Sequence, residues 1–242
     1  MPTLAKEAEE KAEVVQTQPL IAEEEVQDLS HIDVSNRAYC HIKRLLDIIL
    51  SAFGLTVLLI PLAIIALVVY IDDPGPVIFS QKRVGLNGKV FRLYKFRTMK
   101  KDTPKYMATI DVEDPDKYIT RVGHVLRKLS LDELPQFFNV LKGNMSLVGP
   151  RPLIPNENEI HEMRSRFGVY TTRPGVTGYA QINGRDLVAP ADKVRWDVKY
   201  LERFGVLTDL KILLLTVPKA FGGCEVVEGF DSRKQDESEC KK

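Results

Sequence analysis

Disulfide and zinc chemistry have little to work with in this chain. Its three cysteines, Cys40, Cys224 and Cys240, form no CxxC pair, and its four histidines, His31, His41, His124 and His161, are scattered. That distribution argues against a disulfide framework, a structural zinc site and a histidine-centred triad. No internal repeat is present, which argues against a solenoid. No basic-flanked apolar stretch opens the chain, so no cleavable secretion signal is expected. The most informative absence is of charge: the 24 residues from Ile48 to Ile71, IILSAFGLTVLLIPLAIIALVVYI, carry none. About 20 apolar residues suffice for a helix to cross a bilayer. A soluble core helix of that length, apolar on every face, is out of proportion to a chain of 242 residues. Membrane insertion is the expectation.

Pro61 lies inside this run, where it removes one helical hydrogen bond and crowds the preceding turn, so a kink is expected there. Basic residues flank both ends: Arg37, Lys43 and Arg44 before, and Lys82, Arg83, Lys89 and Arg92 after. The positive-inside rule therefore chooses no direction. A broken helix that enters and leaves on the cytoplasmic face satisfies both flanks, and a kinked single span is the alternative. Charge is also segregated along the chain. Residues 1–40 hold nine acids against three bases, and residues 41–242 carry a net charge of +7. The first segment reads as an acidic, disordered tail with a short helix around Leu4–Val15. The basic remainder suits polyanionic partners, although a nucleic-acid binder would leave the apolar segment unexplained.

Past the apolar segment the pattern is that of a small α/β domain. Asp73-Pro74-Gly75-Pro76 is a stop and a turn. Residues 77–84 and 89–99 flank Leu86-Asn87-Gly88, a hairpin signal. Val122, Val125, Leu126 and Leu129 have helical spacing, and Leu134, Phe137, Phe138 and Leu141 would form one face of a second helix stopped by Gly143. A short apolar run at 145–148, a helix around 156–166 and a loop through Pro174-Gly175 to Gly184 follow. The last helical stretch, 192–220, is either core or an amphipathic element on a membrane surface. The final residues, about 226–242, are polar.

Chemistry concentrates at Ser130-Leu131-Asp132-Glu133-Leu134-Pro135. In one reading Asp132 is a helix N-cap and Glu133 a first-turn carboxylate. In the other, Asp132 is a nucleophile that forms an acyl phosphate, with Glu133 contacting a different atom of substrate or metal. That chemistry requires cations around the phosphates. Arg127 and Lys128 precede the pair, Arg151 sits in Gly149-Pro150-Arg151-Pro152, and Lys95 and Arg97 are expected on one side of a strand.

These motifs occur in a telling order: DPGPVIFSQKRVG, YKFRTM, LRKLSLDELPQFFNVLKGNMSLVGPRP and TRPGVTGYAQINGR. With the proline-interrupted apolar segment they resemble the bacterial sugar transferase family, specifically its small monotopic polyprenyl-phosphate phosphoglycosyl transferases. SLDELPQ followed by VGPRP is the specific part.

The resemblance implies a mixed, helix-rich α/β fold. Residues 41–72 would form a kinked re-entrant membrane helix broken at Pro61, and residues 73–225 a catalytic domain with interfacial amphipathic helices; residues 1–40 and 226–242 would be tails. It implies a monotopic protein on the cytoplasmic face of the bacterial inner membrane, in contact with its lipid and not with nucleic acid. Asp132 would attack the β-phosphorus of a UDP-sugar and expel UMP, and polyprenyl (undecaprenyl) phosphate would take the phosphosugar. Glu133 would assist, and Asp132 and Glu133 would hold Mg²⁺. Lys95, Arg127 and Arg151 are the implied phosphate ligands, with Arg173 and Arg185 at the nucleotide. The reaction would begin surface-glycan or glycoprotein assembly. Ile60-Pro61 stands where some members have Ser-Pro, and without the further transmembrane helices of large members the resemblance leads one to expect the small type. A glycosyltransferase releasing UDP and a membrane-tethered adaptor remain the competing readings.

Overall fold

The structure, a computed structural model, describes residues 37–101, 103, 115–183 and 190–221. The expected helix at 4–15, the tail from 226 onward and Arg185 lie outside the described residues.

The apolar segment forms two helices, α1 (Arg37–Val57) and α2 (Leu59–Asp72), bent by 63° at Leu58. The kink is therefore three residues ahead of its expected place at Pro61, for a physical reason. Proline has no N–H to offer the Val57 carbonyl and its ring crowds that carbonyl, so the break falls on the N-terminal side. Pro61 itself sits in the first turn of α2, where a missing donor is tolerated. On either side the ladder closes normally, with Leu58 N–H to Gly54 O and Leu62 N–H to Leu58 O, both at 2.8 Å. Among the described residues no single helix is long and apolar enough to cross a membrane; the bent pair passes that test together.

Helix α1 is inverted relative to a helix packed on a soluble domain. Its buried positions are Tyr39, Lys43, Asp47 and Ser51, one per turn, while Ile42, Leu45, Ile49, Phe53 and Val57 are exposed. The polar stripe is bonded to the domain. Lys43 pairs with Asp209, the Tyr39 hydroxyl donates to the same carboxylate at 2.6 Å, and Asp47 accepts from Leu147 N–H at 3.0 Å. Helix α2 contributes Val69 to a small core with Phe96 and Leu126, joined by Leu62, Ile65 and Ala66.

Two short sheets carry the rest. Strands β1 (Ile78–Val84) and β2 (Val90–Phe96) form the expected antiparallel hairpin, with Phe79 opposite Lys95 and Arg83 opposite Phe91. Its turn uses positive φ at Asn87 (54°) and Gly88 (71°), which explains the Asn-Gly pair. Helix α3 (Arg121–Lys128) is capped by the Thr120 side chain accepting from Gly123 N–H at 2.9 Å. After it come α4 (Gln136–Leu141), β3 (Ser146–Val148), α5 (Asn158–Arg166) and β4 (Gly175–Thr177), with β3 and β4 parallel. A Cβ added at Gly175 would run into the Gly149 backbone, so the glycines of GPRP and RPGVTG let these segments meet. Helices α6 (Tyr179–Ile182), α7 (Pro190–Glu202) and α8 (Val206–Phe221) complete the described fold.

Two further expectations need correction. The single helix expected at 192–220 is two helices, broken across Arg203–Gly205. The buried face of α4 is Gln136, Asn139 and Val140, whereas Phe138 is 51% exposed. Asn139 is buried because its amide completes the edge of β2: its Oδ1 accepts from Tyr94 N–H at 3.0 Å and its Nδ2 donates to Arg92 O at 2.6 Å. Apolar spacing cannot reveal a face whose burial depends on hydrogen bonding to a strand.

Candidate active site

The Asp-Glu pair lies between α3 and α4, in a 3₁₀ turn spanning Leu131–Glu133. Ser130 before it adopts left-handed backbone, φ 55°, uncommon for a residue with a Cβ and frequent at functional sites. Asp132 is not the helix cap that one reading of the sequence expects. Ser130 is the N-cap of the turn and Pro135 that of α4, and neither makes a side-chain capping bond. Asp132 is nevertheless buried, 5% exposed. Burial of a carboxylate calls for nearby positive charge to offset it.

That charge comes from β2. Lys95 Nζ donates to Glu133 Oε1 at 2.9 Å and stands 3.8 Å from Asp132 Oδ2. From the other side Arg151 Nη1 lies 3.6 Å from the same Glu133 oxygen. Residues far apart in sequence thus converge on two carboxylates, as the motifs lead one to expect for Lys95, Asp132, Glu133 and Arg151. Lys95, Glu133 and Arg151 border a cleft lined also by Arg83, Leu93, Gln136, Pro152, Gly175 and Val176.

The remaining predicted cations are placed differently. Arg97 does not share a strand face with Lys95: β2 ends at Phe96, and Arg97 turns away to the Asp73 carboxylate at 3.4 Å and to the Asp73 carbonyl. Arg127 Nε donates to Thr98 Oγ1 at 2.9 Å, and Arg173 Nε to Gly143 O at 3.0 Å; neither lines the cleft.

Sequence reasoning misses Arg83 and Gln136. Strand alternation holds the signal for Arg83, since it lies on the Leu93–Lys95 face of the hairpin. Gln136, three residues after Glu133 and 3% exposed, has the sequence signature of an ordinary polar helix residue.

Two buried polar arrangements link helices elsewhere in the fold. Arg164 Nη2 donates to Asp197 Oδ2 at 2.5 Å, and burial raises the Asp197 carboxyl to about 6 against the opposing effect of Arg164. Burial also raises the Tyr200 hydroxyl, which donates to Asp209 Oδ1 at 2.9 Å.

Comparison with known proteins identifies the family. The model of a family described as bacterial sugar transferase matches residues 38–223. The UDP-glucose:undecaprenyl-phosphate glucose-1-phosphate transferase of Escherichia coli (strain K12) is 43% identical over 190 residues, covering 74% of this chain and 40% of that protein. A UDP-N-acetylgalactosamine-undecaprenyl-phosphate N-acetylgalactosaminephosphotransferase of Aeromonas hydrophila is 38% identical over 201 residues, 81% of this chain and 46% of that protein. The uncharacterized sugar transferase EpsL of Bacillus subtilis (strain 168) is 42% identical over 181 residues, 74% of this chain and 86% of that protein. The match therefore spans less than half of the first two relatives and most of the third.

Proposed function

The chain belongs to the bacterial sugar transferase family, and from that footing we propose that it moves a sugar 1-phosphate from a UDP-sugar to polyprenyl phosphate, the undecaprenyl form, in the first membrane step of surface-glycan or glycoprotein assembly. The observation that carries this reading is the buried Asp132 carboxylate beside Lys95, with Glu133 between Lys95 and Arg151 at the cleft.

Asp132 attacks the β-phosphorus of the donor. The bond from that phosphorus to the bridging oxygen breaks, UMP leaves, and an aspartyl-phosphosugar remains. An oxygen of polyprenyl phosphate then attacks the same phosphorus and releases the Asp132 carboxylate, giving polyprenyl diphosphosugar. Splitting the exchange lets one phosphorus be displaced twice within one site. Lys95 and Arg151 lower the repulsion between an anionic nucleophile and an anionic diphosphate, and Arg151 can grip a phosphate with two parallel bonds. Arg127, Arg173 and Arg185 are proposed as further phosphate and nucleotide ligands.

Asp132 and Glu133 provide two carboxylates, and among the described residues no group of three His, Cys, Asp or Glu converges. That donor set suits Mg²⁺, commonly held by one or two carboxylates together with substrate oxygens. When bound, Mg²⁺ would neutralise the diphosphate and the leaving UMP.

The inverted α1 and the apolar α2 support a re-entrant insertion. The outward apolar positions of α1 enter lipid, the bend at Leu58 turns the chain back, and both basic flanks stay at the cytoplasmic face of the inner membrane. Helix α8, with Leu207 82% and Leu214 66% exposed, lies along the same membrane face as an interfacial element.

The deciding experiment incubates the purified protein with polyprenyl phosphate, Mg²⁺ and a panel of UDP-sugars, and identifies the nucleotide product. UMP, abolished by Asp132→Asn, is expected. UDP would mean direct glycosyl transfer, and no nucleotide from any donor would mean an adaptor.

A further inference from the structure

Between Arg151 and Ile154 the chain has neither helix nor strand. All four carbonyls of this segment nevertheless accept a hydrogen bond. Arg164 Nη1 donates to Arg151 O at 2.7 Å, and Arg83 Nη1 donates to Pro152 O at 3.2 Å. Val84 N–H donates to Leu153 O at 2.9 Å, and His161 Nε2 donates to Ile154 O at 2.8 Å. An irregular segment must find partners for its backbone somewhere. Here they come from α5 and β1, so those elements set the shape of the loop.

Arg164 differs from the other three donors in what lies behind it. Its second nitrogen is bonded to Asp197 on α7, and both side chains are 2% exposed. Burying two charges is a poor route to stability, because apolar side chains of similar volume serve as well or better. The other arm of the guanidinium supplies a better reason. It reaches the main chain of Arg151, the residue whose own side chain faces Glu133 at 3.6 Å. One planar fork thus ties α7 to the loop that presents the candidate phosphate ligand.

We propose that Arg164, held by Asp197, is the positioning residue for Arg151, fixing the main chain from which the Arg151 guanidinium meets the donor phosphates. This rests on the reading of Arg151 as a phosphate ligand. A lysine at position 164 keeps the charge toward Asp197 but cannot bond Asp197 and Arg151 O through one rigid plane. Misplacement of a reacting group by about 1 Å can cost about a hundredfold in rate.

The test is a double-mutant cycle in the full chain, combining Arg164→Lys with Arg151→Ala. The assay is UMP release from whichever of UDP-glucose, UDP-galactose and UDP-N-acetylgalactosamine serves as donor. It separates kcat from KM and is accompanied by a thermal midpoint. Arg164→Lys is expected to lower kcat/KM by about tenfold or more at a near-native midpoint. With Arg151 already replaced, the same change should cost less than about twofold. Equal losses in both backgrounds, or no loss with Arg151 present, would overturn the positioning role and leave the phosphate reading standing. An unchanged kcat/KM in Arg151→Ala would remove the phosphate reading and this inference together. If Arg164→Lys does not fold, Asp197→Asn, close in shape, is carried through the same cycle: a loss confined to the Arg151 background supports the positioning role, and equal losses overturn it.

Discussion

Lys95 and Glu133, 38 positions apart in the chain, are joined Nζ to Oε1 at 2.9 Å. The bond fastens the hairpin to the turn that carries Asp132, and it leaves the same ammonium 3.8 Å from Asp132. One cation thereby serves both carboxylates. Lys95→Ala is expected to lower kcat/KM by about a hundredfold or more, as removal of one preorganised electrostatic contact does elsewhere. Lys95→Arg should recover part of the loss. Equal kcat/KM for Lys95→Ala and wild type would remove Lys95 from the site.

Replacing the proposed nucleophile isosterically should separate chemistry from folding. Asp132→Asn is expected to reduce UMP release by roughly a thousandfold or more while leaving the thermal midpoint near native. Mass spectrometry of wild-type protein quenched during turnover should find a phosphosugar on the peptide containing Asp132. Product formed without that adduct would contradict a double displacement.

Pro61→Ala restores an N–H that can bond the Val57 carbonyl. The bend of 63° should then relax toward a straighter helix. Spin labels near Ile42 and Ile71 report this as a longer separation in lipid vesicles. An unchanged separation would mean that packing of α2 on Phe96 and Leu126, rather than proline, sets the angle.

The Asp209 carboxylate gathers Lys43, the Tyr39 hydroxyl at 2.6 Å and the Tyr200 hydroxyl at 2.9 Å, joining α1 to α7 and α8. Lys43→Met leaves that carboxylate buried without its cation and should destabilise the fold by about 3 kcal/mol or more. The combined Lys43→Met, Asp209→Asn protein should recover much of this. Thermal midpoints of the two variants in detergent check the ordering.

Asp197 gives a pH signature. An unfolded aspartate titrates near about 4, whereas the buried carboxyl titrates at about 6 in the folded protein. Between these values the folded state binds the extra proton. The group's contribution to stability is therefore most favourable below pH 4 and declines as pH rises to 6, by an amount on the order of 3 kcal/mol. Compared with Asp197→Asn, the wild type should lose stability across that window and change little above pH 7. Parallel stability curves for the two proteins would contradict the raised value.

Much of the site is readable from residue order because its chemistry is local. Asp132-Glu133, the GPRP arginine and the lysine of YKFRTM each sit in a short motif, and the cleft brings Lys95, Glu133 and Arg151 together. Arg97 escapes such a reading because one residue decides whether a side chain is in the strand or past its end, and β2 stops at Phe96. Gln136 and Asn139 escape it because burial of an amide depends on partners distant in the chain.

Local rules determined the rest of what could be read beforehand. Steric freedom at Asn87-Gly88 calls for a hairpin, a missing N–H at Pro61 calls for a break, and 24 uncharged residues call for an apolar environment. Tertiary structure alone decided which faces turn inward. Tyr39, Lys43, Asp47 and Ser51 became the buried stripe of α1, and Arg164 met Asp197 beneath the loop of Arg151. Backbone geometry acts between neighbours in sequence. Desolvated charges and buried amides are satisfied only by groups that folding brings near, and no local pattern names those partners.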